Sequence, residues 1–321
     1  MITKKILQSL FYQMLRIRMV EERIVELYPQ QQMRCPVHLC IGQEAVAAGV
    51  SANLKNEDLV LSNHRSHGHY LAKGGNLEKL FAELYGKETG CSRGRGGSMH
   101  LIDLSVNFLG STPIVGGTIP VATGVAWAEK MKNNKTVTVA FLGDAAVEEG
   151  AFHESVNFAV LKNLPIVFVC ENNLYSVYTP IAERQPKRSI ASLAKGYGIR
   201  SFRADGNDCG KVYEVSKEMI DAVRAGRGPA LIEFLTYRWR EHCGPNYDNH
   251  IGYRDEAEFK LWQKKCPIDR FKKYALLNKV IKPAEITGME TQIQKEIDTA
   301  VTLAQAAPFA KGVSLNDVYA L

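Results

Sequence analysis

The sequence predicts an α/β protein built on a parallel sheet flanked by helices. Three observations predict it. The runs TVTVAFLGD (136–144), LPIVFVCENN (164–173) and GPALIEFLTYR (228–238) are apolar and β-branched without polar alternation, as strands buried on both faces are. Segments with helical spacing stand between them, so strand and helix alternate. The intervals have room for crossover helices, which parallel neighbours require.

The elements follow in order. Residues 3–28 set Ile6, Leu10, Met14, Ile17, Ile24 and Leu27 at helical spacing among Lys, Arg and Glu, which predicts a long helix. Residues 30–48 read as a loop entering a helix, and DLVLS (58–62) as a short strand. NLEKLFAELYG (76–86) is a helix between an Asn76 N-cap and a Gly86 stop, followed by the glycine- and arginine-rich loop GCSRGRGGSMH (90–100). Helices are predicted over 118–134, 148–163, 189–198 and 209–226, with a short strand over 198–206. The charged tail predicts helices over 255–265 and 283–305. The organisation expected is one domain over 1–321: a helical arm (1–30), an α/β core (31–254) and a helical extension (255–321). No internal repeat or low-complexity linker interrupts it.

Composition narrows the classes. The 321 residues are 45% hydrophobic and 23% charged, ordinary for a soluble globular protein. No apolar run reaches the roughly 18 residues of a membrane span. The N-terminus mixes charge with apolar residues and does not read as a signal peptide. Seven cysteines, an odd number without a dense framework, predict free thiols in a reducing compartment, hence the cytoplasm. Cys35, His38 and Cys40 lie close together, but no second pair has zinc-finger spacing, so zinc is not expected. The net charge of +6 is not gathered into a basic stripe, which argues against nucleic acid and for anionic small ligands.

Ligands of open parallel sheets bind beyond the carboxyl ends of the strands. Two runs end in small polar residues, Gly143-Asp144-Ala145-Ala146 and Asn172-Asn173, with Asp144 and Asn173 29 positions apart. A carboxylate and a carboxamide converging at one sheet edge suit Mg²⁺, which takes few protein ligands and completes its octahedron with phosphate and water oxygens. A second reading stays open: Asp144 N-caps the next helix and Asn172-Asn173 forms a turn.

A Gly-Asp strand end followed by about 27 residues and Asn-Asn resembles the diphosphate-binding signature of thiamine diphosphate enzymes. The stretch HESVNFAVLKNLPIVFVCENNLY (153–175) is similar to the alpha subunits of pyruvate and acetoin dehydrogenases. So are RCPVHLCIGQEA (34–45), HRSHGHYLAKGG (64–75), GCSRGRGGSMH, PIVGGTIPVATG (113–124) and GPALIEFLTYR. The resemblance covers roughly residues 5–270 in order. It implies a thiamine diphosphate-binding fold of the diphosphate type.

It also implies roles. Asp144, Asn173 and the carbonyl of Tyr175 would be Mg²⁺ ligands. Arg65 would pair with the diphosphate. Gly143, Ala145 and Ala146 would lie against the phosphates, with the two alanine amides facing them. His38, His64 and His242 would line the cofactor site, His242 also serving catalysis. Val115 would meet the aminopyrimidine, and His67 would exchange a proton near the reacting carbon. His64, His67 and His69 share one loop, so not all can face one ligand; His67 is favoured and His69 least. Arg93 and Arg95 either steer anions or belong to a solvated loop.

The family expectation is half an enzyme. This chain carries one diphosphate-type unit, so a beta subunit of similar size is implied, in an α₂β₂ tetramer. The assembly would cleave a 2-oxo acid such as pyruvate, or acetoin, and pass the fragment to a lipoyl acyltransferase. The alternative is a split transketolase-like carboligase transferring a two-carbon unit to a sugar or aldehyde. Three departures stand out. Ala145 replaces a usual glycine, and Glu148-Glu149 replace an Asn-Gln pair. WREHCGPNYDNHIGYRDE (239–256) places Cys243 where mitochondrial relatives carry a phosphorylated serine, and is two residues longer.

Overall fold

The computed structural model describes residues 2–33 and 35–312. Arg34, the first residue of one quoted motif, and the end of the predicted extension, 313–321, lie outside the described residues.

The chain begins with α1 (Lys4–Leu27) and α2 (Glu44–Ser51), then β1 (Leu59–Ser62), α3 (His67–Ala72), α4 (Leu77–Leu84) and β2 (Phe108–Ser111). The alternating section follows: α5 (Thr118–Met131), β3 (Thr138–Gly143), α6 (Gly150–Leu161), β4 (Ile166–Asn172). A small antiparallel hairpin, β5 (Tyr175–Ser176) and β6 (Thr179–Pro180), leads into α7 (Ile181–Arg184) and α8 (Ile190–Lys195). Then come β7 (Arg200–Asp205), α9 (Cys209–Arg224), β8 (Ala230–Leu235), α10 (Glu256–Gln263), α11 (Pro267–Leu277) and α12 (Pro283–Ala306).

The main sheet has six strands, all parallel, in the order β2-β1-β3-β4-β8-β7. Side chains of the central strands alternate between two apolar layers, as the period of two requires. Val139, Phe141, Val167, Val169 and Ile232 face one cluster, shared with α1, α2, α4, α9 and α12. Ala140, Leu142, Ile166, Phe168, Cys170 and Leu231 face the other, under α5, α6 and α8. Full burial on both faces explains why these runs lack polar alternation.

The N-terminal helix is no detached arm. Its Leu10, Phe11, Met14, Ile17, Val20 and Ile24 are buried in the larger cluster, so its apolar face is consumed internally. The extension is held the same way: Ile286, Ile293, Ile297 and Val301 of α12 enter that cluster, and Glu296 accepts a two-pronged contact from Arg16 of α1 at 3.0 and 2.6 Å. No described helix is long and apolar enough to cross a membrane.

Register places the site. Leu142 and Gly143 sit opposite Cys170 and Glu171, and Asn172 opposite Leu235. The carboxyl ends of β3, β4 and β8 therefore share one edge. From β1 the chain runs outward to β2, then returns to β3 on the other side of β1. That reversal between β1 and β3 is where open α/β sheets leave a crevice.

Candidate active site at the carboxyl edge of the sheet

A cleft of about 310 Å³ opens at this reversal. Loops after four strands supply it. His64 and Arg65 follow β1, Gly143 ends β3 with Asp144–Ala146 after it, Asn173 and Tyr175 follow β4, and His242 follows β8. His38 and Val115 also line it, so every residue expected at the cofactor and metal positions is on one cleft. Sequence reasoning missed Gln43 and Glu171. Glu171 could have been found from its place before Asn172 on a strand end; Gln43 carries no comparable signal.

The Asp144 end is lined with oxygen. Asp144 is 2% exposed, and burial pushes its carboxyl above the usual carboxylate range while Arg184 opposes the rise. It does not cap α6, whose N-terminal flank is Glu149 without a side-chain cap; its carboxylate pairs instead with Arg184. The turn reading of Asn172-Asn173 holds in part. Asn172 Oδ1 accepts from the Leu174 amide at 3.2 Å, and Asn173 Oδ1 from the Tyr175 amide at 3.3 Å. Asn173 Nδ2 donates to Gln43 Oε1 at 3.2 Å, while Gln43 Nε2 is buried without a partner. A Cβ built on Gly143 would meet nothing within 4 Å, which leaves open space against the strand tip. Hard oxygen donors beside open space fit a small divalent ion carrying phosphate.

The other end is cationic and imidazole-rich. The rings of His38, His64 and His242 lie 4.7 to 5.2 Å apart, centroid to centroid. His38 is buried, and its Nδ1 has no partner. Burial first, then Arg65, pushes His38 down to about 2 and His242 to about 3; the same causes hold His64 well below its usual value. All three are neutral at physiological pH. Three imidazole nitrogens within 4.8 Å would suit a metal by spacing. The adjacent Arg65 guanidinium, 3% exposed and held by the carbonyls of Leu39 and His242, adds a positive charge that disfavours a cation at the cluster. Cys35 and Cys40 form no metal-ligating group with His38 among the described residues.

These shifts carry a stability prediction. Unfolded, the three histidines take up protons below about pH 6.5; folded, they do not until far lower pH. The unfolded state thus binds more protons, and stability falls with pH below that value. Thermal melts of cofactor-free protein should drop from pH 7.5 to 5.5, and the drop should shrink in a His38→Gln/His64→Gln/His242→Gln variant. Parallel pH curves for the two proteins would contradict the assignment.

His67 is placed differently from expectation. It is fully buried, does not line the cleft, and uses both ring nitrogens: Nδ1 with Glu21 Oε1 at 3.2 Å and Nε2 with Ser98 Oγ at 2.7 Å. It ties α1 to the 90–100 loop, which sends Met99 into the cleft. His69, ranked lowest, meets Glu171 Oε2 at 3.3 Å and Ser62 Oγ at 2.8 Å, stacked on Phe141. The glycines of the 90–100 loop wrap a carboxylate of their own chain. Glu83 accepts from the amides of Ser92, Gly94, Gly96 and Gly97 at 2.7 to 3.1 Å. A Cβ at Gly96 would lie 2.1 Å from the His100 carbonyl oxygen, so that spacing needs glycine. Arg93 meets Glu88 at 3.1 Å on the surface, outside the cleft.

The altered loop is firmly built. Arg254 donates to the carbonyls of Arg238 and Trp239 at 2.8 and 3.0 Å and pairs with buried Asp248, which also accepts from Tyr253 at 2.6 Å. This buried cluster anchors the stretch that brings His242 to the cleft, while Cys243 beside it is an exposed free thiol.

A parallel sheet with a crevice at its reversal, lined by Asp144, Asn173 and Arg65, is consistent with a thiamine diphosphate-binding fold. The sequence match is specific: residues 12–312 fit the family described as dehydrogenase E1 component, and the chain belongs to that family. It is 40% identical over 311 residues to the alpha subunit of acetoin:2,6-dichlorophenolindophenol oxidoreductase of Bacillus subtilis, covering 97% of this chain and 92% of that one. It is 38% identical over 314 residues to the chloroplastic pyruvate dehydrogenase E1 component subunit alpha-3 of Arabidopsis thaliana, covering 96% and 73%. It is 34% identical over 310 residues to the pyruvate dehydrogenase E1 component subunit alpha of Rickettsia typhi, covering 96% and 94%. The chain is thus the alpha subunit of a thiamine diphosphate-dependent oxidoreductase that works with a beta subunit.

Proposed function

We propose that this single-domain chain binds the diphosphate half of thiamine diphosphate, together with Mg²⁺, and that the assembled enzyme oxidatively cleaves a 2-oxo acid or acetoin. The observation carrying this reading is the convergence of Asp144, Asn173, Tyr175 and Arg65 on one cleft at the sheet reversal. When bound, the cofactor supplies the carbanion chemistry that no side chain supplies. The chain's own residues do the rest. Asp144, Asn173 and the Tyr175 carbonyl would hold the ion. Arg65, with His38 and His64, seats the phosphates. The backbone amides of Ala145 and Ala146, also on the cleft, would supply donors for the phosphates. The resemblance also implies a proton exchange at His242; burial and Arg65 hold it neutral, which favours lining the phosphate side over that exchange. His67 orders the surrounding loops, and its buried bonds to Glu21 and Ser98 favour that role over proton exchange with substrate.

The cleft is half a site. Ile114 and Val115 on its rim are 68% and 47% exposed, an apolar edge for a second subunit to cover. The partner reading is an α₂β₂ tetramer in the cytoplasm with cofactors between unlike chains, delivering to a lipoyl acyltransferase. No relative described above is a transketolase, and no feature of the cleft favours carboligation. Purified alone, the chain should show no turnover of pyruvate or acetoin with a dye acceptor. Mixed with its beta subunit it should turn over. Robust activity of the chain alone would defeat the two-subunit reading.

A further inference from the structure

One set of contacts is not explained by cofactor binding. Asp144, the candidate metal ligand, already has a cation. Arg184, the last residue of α7, places one guanidinium nitrogen on Asp144 Oδ2 and another on Glu148 Oε1. Its side chain is 10% exposed. The next residue reinforces the arrangement: Gln185 Nε2 donates to the Asp144 carbonyl at 2.9 Å and to Glu148 Oε1 at 2.8 Å. The segment carrying Arg184 is continuous with Asn173 and Tyr175 through the β5–β6 hairpin. Metal ligands and internal cation thus ride on one short stretch of chain.

A carboxylate oxygen held by a charged N–H does not present the same lone pair to a metal ion. While the guanidinium stays, Oδ2 of Asp144 is taken, and a divalent ion beside it meets a second positive charge, so the two cations compete at this carboxylate. Leaving this buried carboxylate with neither would be costly, since an unpaired charge of low exposure loses its hydration. The two carboxylates are not equivalent. Asp144's side chain is 3% exposed, whereas Glu148's is 33% exposed and partly hydrated.

We propose that Arg184 is an exchangeable internal counter-ion, seated on Asp144 when no metal is bound and withdrawn onto Glu148 when a divalent ion takes that oxygen. The inference rests on the proposed ligand role of Asp144. It makes Glu148 the second seat of the arginine and sets metal affinity by a difference between two occupancies. The consequence has a distinctive sign. An arginine that merely supported the site would weaken metal binding when removed. A competitor strengthens it.

The test is Mn²⁺ titration of the full chain assembled with its beta subunit, stripped of metal and saturated with thiamine diphosphate, read by the loss of the free-ion electron paramagnetic resonance signal. Arg184→Met should bind Mn²⁺ about tenfold more tightly than the unaltered protein, the scale of one charge-assisted contact no longer displaced. Arg184→Lys keeps a cation but loses the two-pronged fork and should tighten binding by a smaller factor, so it serves if the methionine variant does not fold. Glu148→Gln should weaken binding about threefold, and that loss should shrink in an Arg184→Met background because the two residues act as a unit. Unchanged or weaker Mn²⁺ binding in the arginine variants, with Asp144→Ala still abolishing it, would overturn the exchange and leave the metal site standing. If Asp144→Ala also binds Mn²⁺ like the unaltered protein, the ligand reading itself falls.

Discussion

Replacing Asp144 with alanine should lower metal-dependent affinity for thiamine diphosphate by about a hundredfold or more in the assembled enzyme, beyond the effect typical of residues that only support a ligand. Asp144 is the carboxylate at the tip of β3, on the cleft and next in sequence to Gly143, where a Cβ would meet only open space. Its removal takes away the charged member of the oxygen set and leaves Asn173 and a backbone carbonyl, both neutral. The fold should survive, because Arg184 keeps Glu148 as a partner and the side chain caps no helix. Calorimetric titration with and without Mg²⁺ separates the outcomes. Loss of the Mg²⁺-dependent part with unchanged thermal stability fits the ligand role. An affinity within a factor of about two of the unaltered protein, still Mg²⁺-dependent, would remove Asp144 from the metal site.

Glu83→Ala should be among the most destabilising single changes in the chain, at about 4 kcal/mol. Glu83 is 1% exposed and receives four backbone amides from the 90–100 loop, two on each oxygen. Alanine leaves those amides without an acceptor at about 1 to 3 kcal/mol each, less what relaxation and entering water recover. The same loop presents Ser98 to His67 and Met99 to the cleft, so cofactor affinity should fall together with stability. Urea denaturation reads the first effect and calorimetry the second. Glu83→Gln keeps one acceptor oxygen and should lie between. A shift below about 1 kcal/mol for the alanine variant would show that the carboxylate does not organise the loop.

The legible parts of the fold were those written in local pattern. The apolar runs at 138–143, 166–172 and 230–235 are the three central strands, within two or three residues of their expected ends. Asn76 caps α4 as its position suggested, accepting from the Lys79 amide. One tail helix, α11, escaped although its Ile268, Phe271 and Ala275 are buried; the other elements that escaped were short or lacked an apolar signature. β2 has four residues, Phe-Leu-Gly-Ser, and the β5–β6 hairpin has two per strand. Resemblance, not periodicity, gathered the cleft residues: nothing local in His38 tells that its ring will meet His242, some 200 positions on. The same limit explains His67. Its partners, Glu21 and Ser98, lie 46 and 31 positions away, and only the packing of α1 against the 90–100 loop brings them to both ring nitrogens. The glycine-rich loop misleads for a related reason. Clustered amides suit an anion, but the anion is the carboxylate of α4, next door in space and invisible in the loop's own composition.

The most direct measurement is anomalous diffraction from crystals of the assembled enzyme grown with Mn²⁺ and thiamine diphosphate. One peak per alpha chain should lie about 2.2 Å from carboxylate and carboxamide oxygens of Asp144 and Asn173, the range for a hard divalent ion of this kind. A peak among the imidazoles of His38, His64 and His242, or on any site that leaves Asp144 paired with Arg184, would contradict it.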